Sequence, residues 1–303
     1  MKQKINRLNS LPVKWAGCLL LAGLFYANPV SAYERIVSAT GNASEIIAEL
    51  GLADKLVAVD TTSTLPADVM AKKPKIGYRR RLSSEGILSM WPDLLILAPD
   101  AGPPAVVNQL KAADVETITI ADVKTVDGVI ADIKMIADIL DASKAARPMI
   151  ERIRSDEKVI KQLVADYPRP PKMVFLMDGG GGPDRLMALG NNSAGNAVIS
   201  LVGGENMFAD DFDSLKPVSL ESLVAGDADM IVIASHNKDN PYPAALTKAL
   251  DRYKSLALTK AGKKQCVFTI GTVESLGFGP GFTQAAKSIA EAAKACLNNL
   301  ANQ

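Results

Sequence analysis

Histidine and cysteine are scarce in this chain of 303 residues, and their scarcity excludes several kinds of site. His236 is the only histidine, so a zinc site built from several histidines is excluded. The three cysteines form no CxxC pair, and the sequence has no GxSxG motif. If the protein is an enzyme, the alternative to consider is an exported hydrolase or redox enzyme that uses His236. The absence of these two motifs argues against it.

Apolar runs long enough to cross a membrane are also absent. Residues 15–27 form an apolar run of 13 residues, whereas a helix that crosses a bilayer core needs about 20. Residues 30–32 (VSA) after this run offer a small-residue cleavage site, and four cations precede the run. We therefore expect residues 1–32 to be a secretory signal peptide. Acylation at Cys18 is not expected, because leucines follow it inside the run.

The chain has no excess of positive charge. It carries 34 Lys and Arg against 33 Asp and Glu, and removal of the four signal cations leaves 30 against 33. This balance argues against a nucleic-acid-binding protein.

Short β-branched or leucine-rich runs alternate with helical patterns, which is typical of βα units and parallel sheets. Residues 141–166 carry apolar side chains at helical spacing and end before YPRPP, which predicts one long amphipathic helix. We expect an α/β fold of two Rossmann-like lobes with parallel sheets and a ligand cleft between them. The predicted division is a signal peptide at 1–32, an N-terminal lobe at 33–140, a connecting helix at 141–167 and a C-terminal lobe at 168–303.

The two halves resemble each other at an offset of 136 residues. Residues 82–88 (LSSEGIL) match 218–224 (VSLESLV), and residues 92–97 (PDLLIL) match 228–233 (ADMIVI). Each copy predicts a short helix with a serine cap, followed by a buried strand. The first half carries extra residues before this repeat, and we expect ligand specificity to lie in that insertion.

Residues 77–81 (GYRRR) lie in this insertion. Three successive arginines concentrate positive charge, and guanidinium groups bind carboxylates in bidentate geometry, so the motif predicts an anion site. Nearby cations or a ferric ion favour the phenolate form of Tyr78, which makes it an oxygen ligand for iron. The alternative is that Tyr78 packs at a lobe edge while Arg79, Arg80 and Arg81 form a solvated face.

Glu85 and Glu221 occupy equivalent first turns of the two repeated helices. The helix dipole favours a carboxylate there by about 0.3 to 1 kcal/mol, so capping explains each glutamate separately. The matched pair also suits a two-fold symmetric partner with two basic sockets.

Three further features are less specific. The glycine run at residues 179–182 lacks GxGxxG spacing and a Walker lysine, which favours a flexible loop beside the cleft over a nucleotide site. His236 follows a predicted strand, where it is either a loop histidine held by hydrogen bonds or a ligand-binding residue. Cys266 and Cys296 permit one disulfide in an exported protein, and two buried free thiols are the alternative.

These motifs resemble the periplasmic haem-binding proteins of bacterial haem-import ABC transporters, over nearly the whole mature chain. The lobes and glutamates are shared with the vitamin B12 and siderophore binders. The resemblance implies that Tyr78 is the axial ligand of ferric haem, that Arg80 lies beside its phenolate or the propionates, and that Glu85 and Glu221 dock arginines of the permease. The matching stretches are 59–63 (VDTTS), 76–78 (IGY), Arg80, 82–86 (LSSEG), 92–93 (PD), 100–104 (DAGPP) and 216–221 (KPVSLE).

The chain also departs from that family. Arg79 and Arg81 stand where a less charged residue is expected, which implies a more cationic cleft. Relatives that stack two haems use a histidine before the glycine loop of the C-terminal lobe, whereas this chain has Asp178, so we expect one haem per chain. The loop at Gly281 lacks the arginine of a Gly-Pro-Arg sequence, which leaves the propionate contacts of that lobe open.

Together these inferences predict a periplasmic, monomeric carrier that catalyses no reaction. It is expected to bind haem through Tyr78, the three arginines and His236, and to deliver it to the permease dimer of an ABC transporter in the inner membrane. The alternative within the same architecture is a vitamin B12 or ferric-siderophore binder, which does not need Tyr78 as an iron ligand.

Overall fold

The computed structural model describes residues 33–178, 185–235 and 246–301. The predicted signal peptide with Cys18, the glycine run at 179–182 and His236 lie outside these ranges. The strands are β1 (Ile36–Ala39), β2 (Leu56–Val59), β3 (Leu94–Leu97), β4 (Glu116–Thr119), β5 (Lys172–Asp178), β6 (Leu186–Leu189), β7 (Glu205–Asn206), β8 (Leu215–Pro217), β9 (Met230–Ser235), β10 (Thr247–Lys248) and β11 (Val267–Gly271). The α-helices are α1 (Gly41–Glu49), α2 (Ala67–Met70), α3 (Ser84–Leu88), α4 (Pro104–Lys111), α5 (Val126–Ile139), α6 (Ser143–Ala165), α7 (Ala194–Leu201), α8 (Leu220–Ala225), α9 (Lys260–Lys263), α10 (Thr272–Leu276) and α11 (Phe282–Ala301).

The first four strands form a parallel sheet in the order β2–β1–β3–β4, as predicted. Ile36 of β1 packs with residues of α1 and α5 on one face of the sheet. Its neighbour Val37 packs with Ile87 of α3 and Leu110 of α4 on the other face. Because both faces are covered, β1 and β3 are buried along their whole length, which explains their nearly continuous apolar sequences.

The second sheet follows the path β10–β11–β9–β5–β6–β8, with β7 beside β5. Its centre, β11–β9–β5, is parallel as predicted. Strands β6, β8 and β10 pair antiparallel, so this sheet is mixed, and the expectation of parallel pairing throughout is corrected here. Strands β5 and β6 are joined by a connection too short for a parallel crossover, which needs about a dozen residues.

Helix α6 has 23 residues, or about 34 Å of length at 1.5 Å per residue, and lies within the predicted connecting segment. Its buried Asp156 accepts hydrogen bonds from Thr283 (3.1 Å) and Lys287 (2.7 Å) of α11, in addition to apolar packing. The domain boundaries at residues 32, 140 and 167 stay predictions. None of the helices in the described ranges combines the length and the apolar character that crossing a membrane requires.

The internal repeat is visible in the backbone. The hydroxyls of Ser83 and Ser219 each accept a 3.2 Å hydrogen bond from the backbone N–H three residues later. Trp91 and Asp227, which are 136 residues apart, both adopt a left-handed conformation, with φ of 50° and 53°. The equivalence of the two halves is therefore confirmed in their caps and turns.

A disulfide joins Cys266 to Cys296, with the Cα atoms 6.0 Å apart. It links the residue that precedes β11 to the second half of α11. Of the two alternatives for these cysteines, the disulfide is thus confirmed.

Candidate ligand-binding cleft

A cleft of about 950 Å³ lies between the two sheets. Met177 of β5, Leu189 of β6 and residues 276–279 line one side. Residues at the carboxyl ends of β1 to β4 line the other, which is where open α/β sheets bind ligands. The volume lies near the upper end of the ~300–1,000 Å³ typical of small-molecule sites, which suits a large ligand. The residues on this second side include Thr40, Thr61, Thr62, Ala98, Asp100 and Ala121.

Tyr78 lines the cleft from the loop between α2 and α3, with 39% of its surface exposed. Gly77 before it adopts φ of 90°, a conformation that favours glycine. The Gly77 carbonyl accepts a hydrogen bond from the N–H of Thr61 (2.9 Å), and the Tyr78 carbonyl accepts one from the N–H of Arg81 (2.7 Å). The loop backbone is therefore held on both sides of Tyr78 while the phenol remains accessible.

Arg79 and Arg80 also line the cleft, and both bind Asp100. Arg79 Nε and Nη2 donate to the two carboxylate oxygens at 2.7 and 3.1 Å, and Arg80 Nε donates to Oδ2 at 2.6 Å. Burial acts to raise the pKa of Asp100, but the hydrogen bonds and charges of the two guanidiniums prevail and lower it. Burial likewise acts to lower the pKa of Arg79, and Asp100 raises it instead. The three side chains together carry one net positive charge.

The other predicted site residues lie elsewhere. Arg81 is exposed and is not among the described residues that line the cleft, since the chain turns between Tyr78 and Arg81. Glu85 and Glu221 are exposed in the first turns of α3 and α8, also outside the cleft lining. Hydrogen bonds from its own backbone N–H and from Ser219 lower the pKa of Glu221. These surroundings agree with capping and with docking alike.

Three carboxyl groups that line the cleft, those of Glu45, Asp100 and Asp122, were not predicted as site residues from the sequence. Glu45 of α1 is buried and accepts a 3.1 Å hydrogen bond from the N–H of Gly281, in the loop before α11. Burial, followed by repulsion from Glu49, raises the pKa of Glu45 to about 8. Asp100 follows a predicted strand, which was a usable signal, but nothing in the sequence distinguishes Glu45 from Glu49 one turn later.

The donor set of the cleft limits the chemistry that it can support. In the described part of the chain, no group of three or more His, Cys, Asp or Glu side chains is placed to hold a metal ion. The phenol of Tyr78 can act as an oxygen ligand, and the guanidiniums of Arg79 and Arg80 can bind carboxylates. The cleft therefore presents donors that suit an anionic ligand.

Comparisons with family models and with curated proteins both give matches to this chain. A family model described as "Periplasmic binding protein" matches residues 36–273. Among curated proteins, the vitamin B12-binding protein of Yersinia pestis (strain Pestoides F) is 28% identical over 227 residues, which cover 75% of this chain and 78% of the relative.

Solved structures of similar fold include both haem and vitamin B12 binders. The periplasmic haem-binding protein BhuT in complex with two haems aligns with a TM-score of 0.74 and 29% identity, over 87% of this chain and 98% of that one. The periplasmic haem-binding protein RhuT from Roseiflexus sp. RS-1 in apo form aligns with a TM-score of 0.74 and 30% identity, over 87% of this chain and 99% of that one. The vitamin B12-binding protein BtuF of Vibrio cholerae aligns with a TM-score of 0.70 and 21% identity, over 87% of this chain and 98% of that one. At this identity the match shows a shared fold alone.

The family model covers more than half of the chain, and the coverage of RhuT is nearly complete at 30% identity. The two-lobed α/β architecture expected from the sequence is confirmed by the fold and by these relatives. This chain belongs to the periplasmic binding protein family.

Proposed function

We propose that this protein captures haem in the cleft and delivers it to an ABC permease. The observation that carries the proposal is the accessible phenol of Tyr78, next to the charged Arg79 and Arg80 in one cleft. A phenolate oxygen is a ligand for ferric haem iron, and guanidiniums bind carboxylates such as the propionates. The exposed Arg81 adds to the positive field around this motif.

The second candidate ligand is vitamin B12, which the 28% identity to the Yersinia protein favours. Haem is preferred because the accessible phenol of Tyr78 and the guanidiniums of Arg79 and Arg80 lie together in the cleft. Vitamin B12 also leaves Tyr78 without a role as an iron ligand.

The remaining parts of the proposal concern transport. Glu85 and Glu221 dock basic residues of the permease dimer, because they are exposed on equivalent helices and leave the cleft free. One haem binds per chain, since Asp178 occupies the position where the family resemblance implies a histidine in two-haem binders. The protein acts as a periplasmic monomer that catalyses no reaction. The names of its relatives as binding proteins support the role of a carrier.

Haemin titration followed by visible spectroscopy tests the ligand. The wild-type protein should show tyrosinate-to-iron charge-transfer bands, which Tyr78→Phe should lose together with much of its haem retention. Tyr78→His should retain haem with an altered spectrum. Unchanged spectra and retention in Tyr78→Phe would overturn the assignment of Tyr78.

Tyr167→Phe is the matched control for this experiment. Its hydroxyl donates to the carbonyl of Ala290 (2.8 Å), and Tyr167 is not among the described residues of the cleft. The control should keep the wild-type spectrum. A protein that binds cyanocobalamin but not haemin would instead support the vitamin B12 candidate.

A further inference from the structure

One carboxylate organises the positive charge of the cleft. Asp100 accepts hydrogen bonds from Nε and Nη2 of Arg79. It also forms an ion pair with Arg80, whose Nη2 lies 2.5 Å from Oδ2 of Asp100. Asp100 retains 34% side-chain exposure, compared with 28% for Arg79 and 58% for Arg80. The cluster is therefore open to a ligand from the cleft while its internal contacts are made.

The backbone fixes Asp100 relative to the two arginines. The Arg79 carbonyl accepts a hydrogen bond from the N–H of Gly102 (2.9 Å), and the Gly102 carbonyl accepts one from the N–H of Leu82 (2.8 Å). The loop after β3 is thus joined at Gly102 to the arginine segment, on both sides of Arg80 and Arg81. Asp100, two residues before Gly102, is held next to the two arginines by this backbone pairing.

Asp100 leaves part of each guanidinium available. A guanidinium has five N–H donors in a planar fork, and the contacts to Asp100 use only the Nε and Nη2 sides. Within the described ranges, the Nη1 groups of Arg79 and Arg80 donate no hydrogen bond to the protein. These groups, with their planes already set, are the donors that an incoming carboxylate can use.

We propose that Asp100 is a positioning residue that makes the cleft prefer ligands with free carboxylates. The inference rests on the proposed function and extends it to the chemical class of group that the arginines select. An unrestrained arginine loses substantial side-chain entropy when it binds a ligand, whereas Asp100 imposes that order before the ligand arrives. The same carboxylate also repels an anion, but solvent screens this repulsion at a site that is a third exposed.

The test compares two porphyrins, one with free propionate carboxylates and one in which both are neutral methyl esters. Haemin and haemin dimethyl ester are titrated into the wild-type protein and into Asp100→Asn at constant ionic strength, and the ratio of the two dissociation constants is measured. Asp100→Asn should reduce the preference for haemin about tenfold, with affinity for the diester nearly unchanged. An unchanged or increased preference would overturn the role of Asp100.

A matched variant separates positioning from net charge. Asp166 pairs with Lys294 at 2.6 Å and is not among the described residues that line the cleft, so Asp166→Asn removes the same charge without touching the arginines. It should keep the wild-type preference, and an equal loss in both variants would show that the effect does not come from the contacts of Asp100 with the arginines and would defeat the proposal. If Asp100→Asn does not fold, Asp100→Glu keeps the charge, displaces the carboxylate by one methylene group and should lower the preference in the same way.

The same titrations distinguish a failure of the proposed haem capture from a failure of the proposed selection of carboxylates. A wild-type protein that binds neither porphyrin refutes the proposed function. A wild-type protein that binds both porphyrins equally leaves haem capture intact and refutes the selection of carboxylates.

Discussion

Asp93 and Asp229 occupy equivalent places in the two lobes, 136 residues apart, and each accepts backbone N–H groups at the entry to the first strand of its sheet. Asp93 binds the N–H groups of Glu34 (2.7 Å) and Arg35 (2.9 Å) before β1. Asp229 binds the N–H of Lys172 (2.9 Å) at the start of β5. The repeated Pro-Asp and Ala-Asp sequences therefore have a shared structural role, which is to fix the amino end of each sheet.

The two carboxylates differ in their cationic partners. Asp229 also receives a bidentate contact from Arg169 and an ion pair from Lys260, and its side chain is almost fully buried. Burial acts to raise the pKa of Asp229, but the hydrogen bonds from Arg169, Lys172 and Lys260 lower it to about 2. The charged form of Asp229 is thus a stabilising part of the C-terminal lobe.

We predict that Asp229→Asn lowers the free energy of unfolding by about 2–3 kcal/mol at pH 7, because it leaves two cations without their buried partner. The folded-state pKa lies below the ordinary value of 3.8, so this stabilisation is present above about pH 4 and is lost as the pH falls to about 2. Urea titrations at several pH values measure both effects.

Asp93→Asn is the control for Asp229→Asn. In the described residues Asp93 binds backbone N–H groups only, while the Arg35 guanidinium donates to the carbonyls of Met90 and Trp91. Its replacement should cost less than that of Asp229. Equal losses in the two variants would contradict the role given to Arg169 and Lys260.

A second prediction concerns Glu45 and its pH dependence. Four groups act on the carboxyl group of Glu45. They are Glu49 on the same helix, Glu274 of α10, Arg152 of α6 and the N–H of Gly281. Because the folded-state pKa of about 8 exceeds the ordinary 4.5, the folded protein holds a proton that the unfolded chain releases between these values. Stability should therefore fall as the pH rises from about 5 to 8, by up to about 1.4 kcal/mol per pH unit.

Glu45→Gln cannot ionise, so this part of the pH slope should disappear in the variant. Thermal or chemical unfolding of both proteins across pH 5 to 8 makes the comparison. Parallel profiles would show that Glu45 is ionised in the folded protein throughout and would contradict the prediction.

The features that the sequence predicted well are those that depend on local pattern. Buried runs such as residues 94–97 identify strands, and the apolar spacing in residues 141–166 identifies α6, because burial on a regular element imposes a period. The antiparallel strands β6 and β8 were not predicted, since they are short and their pairing depends on the path of the chain. Asp100 lies about 20 residues from the arginines that it binds, and this distance in sequence carries no information about their contact.

The disulfide supports a third prediction. Cys266 and Cys296 close a loop with a sequence separation of 30 residues, which contributes about 3–4 kcal/mol in the entropic model of the unfolded chain. The double substitution Cys266→Ala/Cys296→Ala should lower the free energy of unfolding by an amount of this order. Thiol titration of the unfolded, unreduced wild-type protein should find no free thiol at these positions, and two free thiols would exclude the bridge.

The last prediction concerns the proposed docking surface. Glu85→Gln/Glu221→Gln removes two exposed negative charges from α3 and α8 and leaves the serine caps in place. Haem affinity should remain at the wild-type value, because neither glutamate lines the cleft. Association with the permease should weaken about tenfold, because two charge pairs across the interface are lost. Binding of the haem-loaded protein to proteoliposomes that contain the permease measures this effect.

Glu116→Gln/Glu291→Gln provides the matched control, because Glu116 and Glu291 are also exposed but lie on β4 and α11. The control removes the same net charge, so a general attraction between the protein and a basic membrane partner would weaken equally in both double variants. A specific two-point contact weakens only when Glu85 and Glu221 are changed, and it depends steeply on salt. Normal transport by Glu85→Gln/Glu221→Gln would mean that the two glutamates serve only as favourable charges at the start of their helices.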